Sequence, residues 1–391
     1  MPPSGRARRR RRTIKAFQNS VPKGPPPEAG DRAPDVRLLD HRGGGGFLSQ
    51  ALRGKGAVLL FLPSAADPAG QAMLRAFAAA FPRLEAQVNV FAVTAQPAAR
   101  NAAAVGQLQL PFPLYADPQG AAARAYDVAH NLAPQQPVFG MAAVSAFLID
   151  KGGRVRLALR DNAEPGLAET IAAQLEAQAA EAPQALRGTA PALLVPGAFE
   201  PAFCRELIAA YEAGEKKRTG TLRDLADGRR EHYIDDKEKI RLDHHPEPAL
   251  LAEMWRRLER RVVPEIAKSF QFAATRYDNL KIGCYEGSQG GHFGVHRDND
   301  TPGVAHRRFA MTLNLNEGYE GGHLRFPEFG PHLYRPEAGE AIVFSCSLLH
   351  EALPVTQGTR YMVICFLFGE EDQAIRDRRV QGVETRHAGR F

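Results

Sequence analysis

The chain has 391 residues, 44% hydrophobic and 24% charged, ordinary globular usage and long enough for two domains with a sizeable core each. The formal charge of +6 suggests a nucleic-acid partner only until Arg6, Arg8 to Arg12 and Lys15 are set aside, because those seven positive charges leave the remainder near neutral at −1. No stretch approaches the roughly 18 apolar residues of a membrane span. Four cysteines without short paired spacing argue against a disulfide framework or a structural zinc site, so a reducing cytoplasm is the expected compartment.

The basic run RARRRRR has no apolar segment behind it, so as it stands it is neither a secretory nor a twin-arginine signal. Residues 1–27 read as a disordered basic arm, with an electrostatic tether to nucleic acid or anionic lipid as the sharper alternative. Residues 28–183 then alternate apolar strand-like runs with Ala-rich helical stretches, an α/β pattern. GAVLLFLP predicts a buried strand, PAGQAMLRAFAAAFPRLEAQ a helix, VNVFAVT the next strand, and Ala98 to Leu108 another helix. AVSAFLIDKGGRVRLALR reads as a hairpin turning on Lys151-Gly152-Gly153, followed by a last helix from Pro165 to Ala180.

A break at 184–190, following Pro183 and containing Gly188, precedes a shift toward Arg, His and aromatics, and 191–370 is expected to form the second domain, with 371–391 as a tail. Its opening third reads as a short strand and helices. From Tyr277 onward the segments LKIGCY, FGVHRD, RRFAMTLNLN, HLRFPEF, AIVFSCSLL and RYMVICFLF read as strands between polar turns. Many short strands after leading helices predict an α+β double-stranded β-helix, a jelly roll whose open mouth holds a ligand.

The candidate chemistry lies in HFGVHRDND, 292 to 300. On an extended strand His296 and Asp298 leave the same face and meet one ion, although a lone pair of this kind is equally explained as a surface ion pair. LLHEALPVTQGTRYMVICFLF strengthens the case by supplying His350 and, ten residues later, Arg360, expected on a hairpin that returns the arginine beside its own partner strand. Two imidazoles and one carboxylate form the facial triad of non-haem Fe(II), which leaves three positions open. A 2-oxo acid takes two of them and O2 the third, and the far carboxylate of that acid needs a buried cation such as the planar fork of an arginine.

The phrases GDRAPDVRLLD, LFLPSAADPAGQ, PLYADPQGAAARAYDV and FLIDKGGRVR resemble a peroxiredoxin of the thioredoxin fold. That resemblance implies a Pro, a Thr or Ser, a peroxidatic Cys and a distant Arg; the matching positions here are Pro63, Asp67, Gly70 and a site near Val144. With no cysteine before Cys204, thiol peroxidase chemistry is excluded for this domain by itself, and a degenerate redoxin kept for binding or packing is expected.

From about Ala192 to Gly369 the chain resembles the prolyl 4-hydroxylase-like branch of the 2-oxoglutarate/Fe(II) dioxygenases, on LKIGCYEGSQGGHFGVHRD, MTLNLN, EGGHLRFPE, EAGEAIVFSCSLLHEALPV and QGTRY. The resemblance implies that His296, Asp298 and His350 bind Fe(2+) and form the catalytic centre, that Arg360 holds 2-oxoglutarate and that Tyr285 hydrogen-bonds it. Thr312 is a weaker candidate beside that cosubstrate. O2 is the second cosubstrate, and L-ascorbate joins the candidate cofactors. An intact Asp298 argues for hydroxylation over halogenation, and Phe rather than a second Arg at 366 counts against nucleobase dealkylation.

The expected activity is hydroxylation of a substrate with succinate and CO2 as coproducts. Resemblance favours a peptide or protein side chain over a small molecule, and nucleic acid enters only through the basic arm. The rival is a scaffold protein built from two former enzyme domains. His292, His306, His323 and His332 read as polar surface or supporting groups, and His244 and His245 as turn residues or part of a substrate loop. Gly321 and Gly322 read as a tight turn, Cys346 as a small buried hydrophobe, and Asn299 and Asp300 as lining the mouth.

Overall fold

The computed structural model describes residues 25–131, 139–177, 188–224 and 230–377, so nearly all of the basic arm, most of the 184–190 break and the chain beyond 377 lie outside the described residues. Two compact units result: Gly30–Arg32 with the chain from Ala180 onward, and the remainder up to Ala179.

The first unit is built on a seven-stranded mixed sheet. Its strands are β1 (Arg37–Asp40), β2 (Gly45–Phe47), β3 (Gly56–Leu62), β4 (Val88–Thr94), β5 (Leu114–Ala116), β6 (Ser145–Ile149) and β7 (Val155–Leu159), in the order β2-β1-β5-β4-β3-β6-β7. β3 has no polar alternation because both of its faces are covered. Val58, Leu60 and Leu62 pack with Met73, Leu74 and Phe77 of helix α1 (Pro68–Leu84), while Ala57, Leu59 and Phe61 pack with Tyr126 and Phe147. Helices α2 (Ala98–Leu108) and α3 (Leu167–Ala177) complete the layers. The turn at 151–153 and both strands of the expected hairpin are present as β6 and β7.

The second unit begins with β8 (Leu193–Val195), α4 (Pro201–Ala213), β9 (Lys217–Arg218), β10 (Lys239–Ile240), β11 (Leu242–His244), α5 (Pro248–Arg261) and α6 (Val263–Phe270). Then come β12 (Arg276–Glu286), β13 (His292–His296), β14 (Phe309–Asn314), β15 (Leu324–Arg325), β16 (Leu333–Tyr334), β17 (Ala341–Ser345), β18 (His350–Ala352) and β19 (Thr359–Phe368). They form a seven-stranded sheet, β8-β17-β14-β19-β12-β11-β9, and a five-stranded one, β10-β13-β18-β15-β16. Residues 371–377, which the sequence places in the tail, are helical, with Asp372 buried.

Period-2 patterning divides the large sheet between two cores. Phe309, Met311 and Leu313 of β14 and Val363, Cys365 and Leu367 of β19 pack with Met254, Leu258 and Ile266 of α5 and α6. The alternate residues Ala310, Met362, Ile364 and Phe366 turn to the other face with Tyr285, Leu324, Phe326 and Phe344. Thr312, Asn314 and Arg360 stand on that inner face, so the polar members of MTLNLN and TRY are interior groups.

Candidate metal centre and cosubstrate pocket

His296 ends β13 and His350 begins β18, and the two are cross-strand partners with ring centroids 4.3 Å apart. A register shift between Phe293 and His296 inserts an extra residue into β13, a bulge of the sort that re-aims a side chain. Asp298 is not on the strand, as its spacing from His296 suggested, but in the bend beyond it, where its N–H donates to the Cys346 carbonyl at 3.0 Å. Its carboxylate lies 3.5 Å from Nε2 of His296 and 3.3 Å from Nε2 of His350.

Both histidines are oriented from behind. Nδ1 of His296 donates to the Gly294 carbonyl at 2.7 Å, and Nδ1 of His350 to the Leu348 carbonyl at 2.9 Å. A carbonyl only accepts, so each Nδ1 carries a proton and the Nε2 atom of each ring is the one that faces Asp298. Phe293 stacks on His296 at 3.5 Å, and Phe344 meets His350 edge-on at 4.7 Å. One ligand atom from each of the three residues lies within 4.8 Å of the others, a borderline N,N,O set that fits a divalent first-row metal. Burial opposes ionisation of Asp298, yet the His350 and His296 imidazoles outweigh it and hold the carboxyl far below the usual range. Burial lowers the His296 pKa, whereas the Asp298 charge raises that of His350 against its own burial, a pull that a bound cation takes over.

Arg360 is not returned by a hairpin beside the His350 strand. β19 pairs with β14 and β12, whereas β18 belongs to the five-stranded sheet, so arginine and triad come from the two different sheets that line one cavity of about 1000 Å³. Sequence adjacency suggested the hairpin; the jelly-roll crossover between sheets decides otherwise. The buried guanidinium donates from Nε to Oδ1 of Asn314 at 3.0 Å and from Nη1 to the Gly322 carbonyl at 2.8 Å, and its Nη2 is 3.5 Å from Oγ1 of Thr312. Among the described residues it has no carboxylate partner. Tyr285 sits across from it in register, with the guanidinium carbon 5.9 Å from the ring centre, and the Tyr285 hydroxyl meets Arg241.

Gly322 does more than make a turn. At φ +65° it is left-handed, and an added Cβ there would lie 3.2 Å from Cδ of Arg360; at Gly321 (φ +72°) one would lie 2.2 Å from the Pro354 carbonyl. Sequence reasoning missed Asn314, which orients Arg360 and whose amide donates to Tyr319 and the Pro336 carbonyl. Its signal was an Asn on the inner face of an otherwise apolar strand. Also missed were Lys239, Arg241 and Lys281, all buried and lining the cavity.

Other expectations need amendment. His244 is on β11 rather than in a turn, its Nδ1 bonded to the Glu215 carbonyl, whereas His245 lines the cavity. His306 is buried against Asp278 rather than at the surface. Asp300 lines the cavity, while the Asn299 amide donates to Ser347 Oγ.

In the first unit the positions matching a peroxiredoxin site are closed. Asp67 caps α1 by accepting from the N–H groups of Ala69 and Gly70, and Val144 is buried in the core. A Cβ on Gly70 would lie 2.3 Å from the Ser64 carbonyl oxygen, so the backbone itself now occupies the space a cysteine needs.

Residues 29–158 match the AhpC/TSA family, and residues 280–368 match the 2OG-Fe(II) oxygenase superfamily. The chain joins an AhpC/TSA domain to a 2OG-Fe(II) oxygenase domain. Curated relatives of the oxygenase unit include a PKHD-type hydroxylase of Azoarcus sp. (strain BH72), 38% identical over 85 residues, or 20% of this chain and 37% of that protein. Another is a PKHD-type hydroxylase of Synechococcus sp. (strain JA-2-3B'a(2-13)), 29% identical over 123 residues, 29% of this chain and 54% of that one. The chain thus spans roughly a third to a half of the length of these relatives. A solved structure similar to the redoxin unit is the peroxidoxin BcpB from Mycobacterium tuberculosis, 22% identical, with a TM-score of 0.37, covering 39% of this chain and 99% of that one. Among the described residues no helix is long and apolar enough to cross a membrane.

Proposed function

We propose that the oxygenase unit is an Fe(II)- and 2-oxoglutarate-dependent dioxygenase that hydroxylates a C–H bond, with succinate and CO2 as coproducts, and that its substrate is a peptide or protein side chain. The observation that carries this reading is the meeting of His296, Asp298 and His350, Nε2 atoms inward, in a cavity whose other sheet presents a buried arginine lacking a carboxylate.

These three side chains would hold the iron. Bound there with 2-oxoglutarate and O2, the metal supplies the oxidising power for C–H hydroxylation. The chain's own part is positional. Arg360, fixed by Asn314 and Gly322, presents its remaining N–H groups to the far carboxylate of the cosubstrate, with Thr312 and Tyr285 beside it. The Gly294 and Leu348 carbonyls hold both rings through Nδ1, so that Nε2 of each is the atom aimed into the site. Phe344, Ile364 and Phe366 wall the cavity with apolar surface that excludes water.

The test is spectroscopic. Protein mixed without oxygen with Fe(II) and 2-oxoglutarate should develop a metal-to-ligand charge-transfer band, and a wild-type sample lacking it sinks the reading. With air and L-ascorbate admitted, 2-oxoglutarate should be consumed, and His296→Ala should stop it. Products in treated lysate heavier by one oxygen atom then identify the substrate. The scaffold alternative draws support from the redoxin unit alone, where Gly70 is closed over.

A further inference from the structure

Among the described residues, one wall of the cavity gathers three buried cations, Lys239, Arg241 and Lys281, around a single bonded carboxylate, Asp243. Asp243, fully buried, is held by Arg241 through Nε at 2.7 Å and Nη2 at 3.0 Å, by Lys281 at 2.8 Å and by the Thr219 hydroxyl at 2.9 Å. Its acceptor capacity is spent on those groups. Lys239, 5% exposed, is the third cation of the cluster and has no carboxylate partner among the described residues. Its ammonium donates to the Gly220 carbonyl at 3.2 Å and lies 4.7 Å above the Phe293 ring, leaving donors unused. Arg241 lies 5.9 Å from the same ring. Phe293 is the ring stacked on His296, so this cationic wall stands one aromatic thickness from the candidate metal centre. The cluster is built rather than incidental: β10 places Lys239, the residue between β10 and β11 is Arg241, and a register shift between Asp278 and Lys281 turns Lys281 inward.

We propose that this wall is the substrate's anion subsite: Lys239, backed by Arg241 and Lys281, seats an anionic oxygen group, carboxylate or phosphate ester, of the molecule to be hydroxylated, while Arg360 serves the cosubstrate. The inference rests on the dioxygenase reading for the division of labour between the two cations. A purely structural lysine would be paired or would reach solvent. Among the described residues Lys239 has no carboxylate partner and is only 5% exposed, and burial, then the nearby Arg241 charge, pushes its pKa down to about 6, a strain on the ligand-free fold that an anion relieves. A neutral substrate would leave this ammonium unpartnered; an acidic one completes it, and the ring between Lys239 and His296 then fixes how far from the metal the acidic group sits.

The experiment uses the full chain with Fe(II) and saturating 2-oxoglutarate, without oxygen, titrated with acetate or methyl phosphate against potassium chloride of equal ionic strength. Melting temperature and the charge-transfer band are followed together. Wild type should be stabilised by at least one of the anions beyond chloride, with the band retained; a stronger response to acetate assigns a carboxylate, and to methyl phosphate a phosphate ester. Lys239→Met should bind that anion about tenfold to a hundredfold more weakly, the range expected for hydrogen bonds to a charged group. It should also melt higher than wild type when no anion is present, and Lys239→Arg should recover the anion response. The proposal is overturned by no anion effect beyond chloride, by an equal effect in Lys239→Met, or by loss of the band as the anion binds, which would make this the cosubstrate's own site. If the band never forms, the dioxygenase reading fails, and the melting titration still decides the subsite.

Discussion

Val144 in the redoxin unit and Arg360 in the oxygenase unit stand at positions where resemblance expects an arginine, and both are buried. Val144 is packed among Val58, Leu60 and Ala146, and no charge remains there. Asn314, Gly322 and Thr312 receive the N–H groups of Arg360, and among the described residues it has no carboxylate partner. Unpaired buried charges cost a fold several kcal/mol. One unit has shed that cost together with its cysteine; the other retains it at Arg360 and Lys239, which have no carboxylate partner among the described residues, and the retention marks where chemistry is expected.

The contrast breaks first if Asp298→Ala leaves turnover intact. Loss of a ligating carboxylate should reduce 2-oxoglutarate consumption by more than the ~100-fold that removing an outer hydrogen-bond partner costs. Next, Arg360→Met should weaken 2-oxoglutarate binding by about 2–5 kcal/mol, the usual cost of truncating a buried charge partner. Metal binding to the triad, followed by titration of Fe(II), should be unchanged. Gly70→Cys in the redoxin unit should restore no peroxide reduction and should destabilise that unit by about 1–3 kcal/mol, since overpacking meets the Ser64 carbonyl; a thiol assay with peroxide checks the first and denaturant unfolding the second.

The smallest effect is a difference in acid response. The Asp243 pKa is depressed, burial being outweighed by Arg241 and Lys281, so its stabilising contribution is present above the ordinary carboxylate value near pH 4 and lost as pH falls below it. Asp117 in the redoxin unit is raised, because burial outweighs the N–H groups of Ala121, Ala122 and Ala123. Its contribution has the opposite sign and favours that fold as pH falls. Calorimetry across this range should show the oxygenase transition falling faster than the redoxin transition.

Much of both units was legible. The uninterrupted apolar run at 56–62 announced a strand covered on both faces, and the H-x-D pair with His350 announced three ligand-type side chains that the fold brings within 4.8 Å of one another. The hairpin error had a physical source: ten residues between His350 and Arg360 look local, but short crossovers pass the chain between sheets, and sequence distance carries no sheet assignment. Lys239, Arg241 and Lys281 were illegible for a related reason. In KEKIRLDHH the first two look like part of an ordinary charged surface strand, and Lys281 in LKIGCY is a single lysine in an apolar run; only strand pairing, of β10 with β13 and of β11 with β12, turns them inward.

The sequence by itself determined the two-part organisation, the loss of the peroxidatic thiol and the identities of the residues suited to a ferrous site, because these depend on local pattern and residue chemistry. The tertiary structure decided which sheet carries each of them, that Arg360 lines the cavity from a different sheet than the triad, and that a lysine in a polar stretch is buried beside the candidate metal centre. Which sheet a strand joins, and so what a polar side chain on it faces, is a property of pairing across long sequence separations that local pattern does not encode.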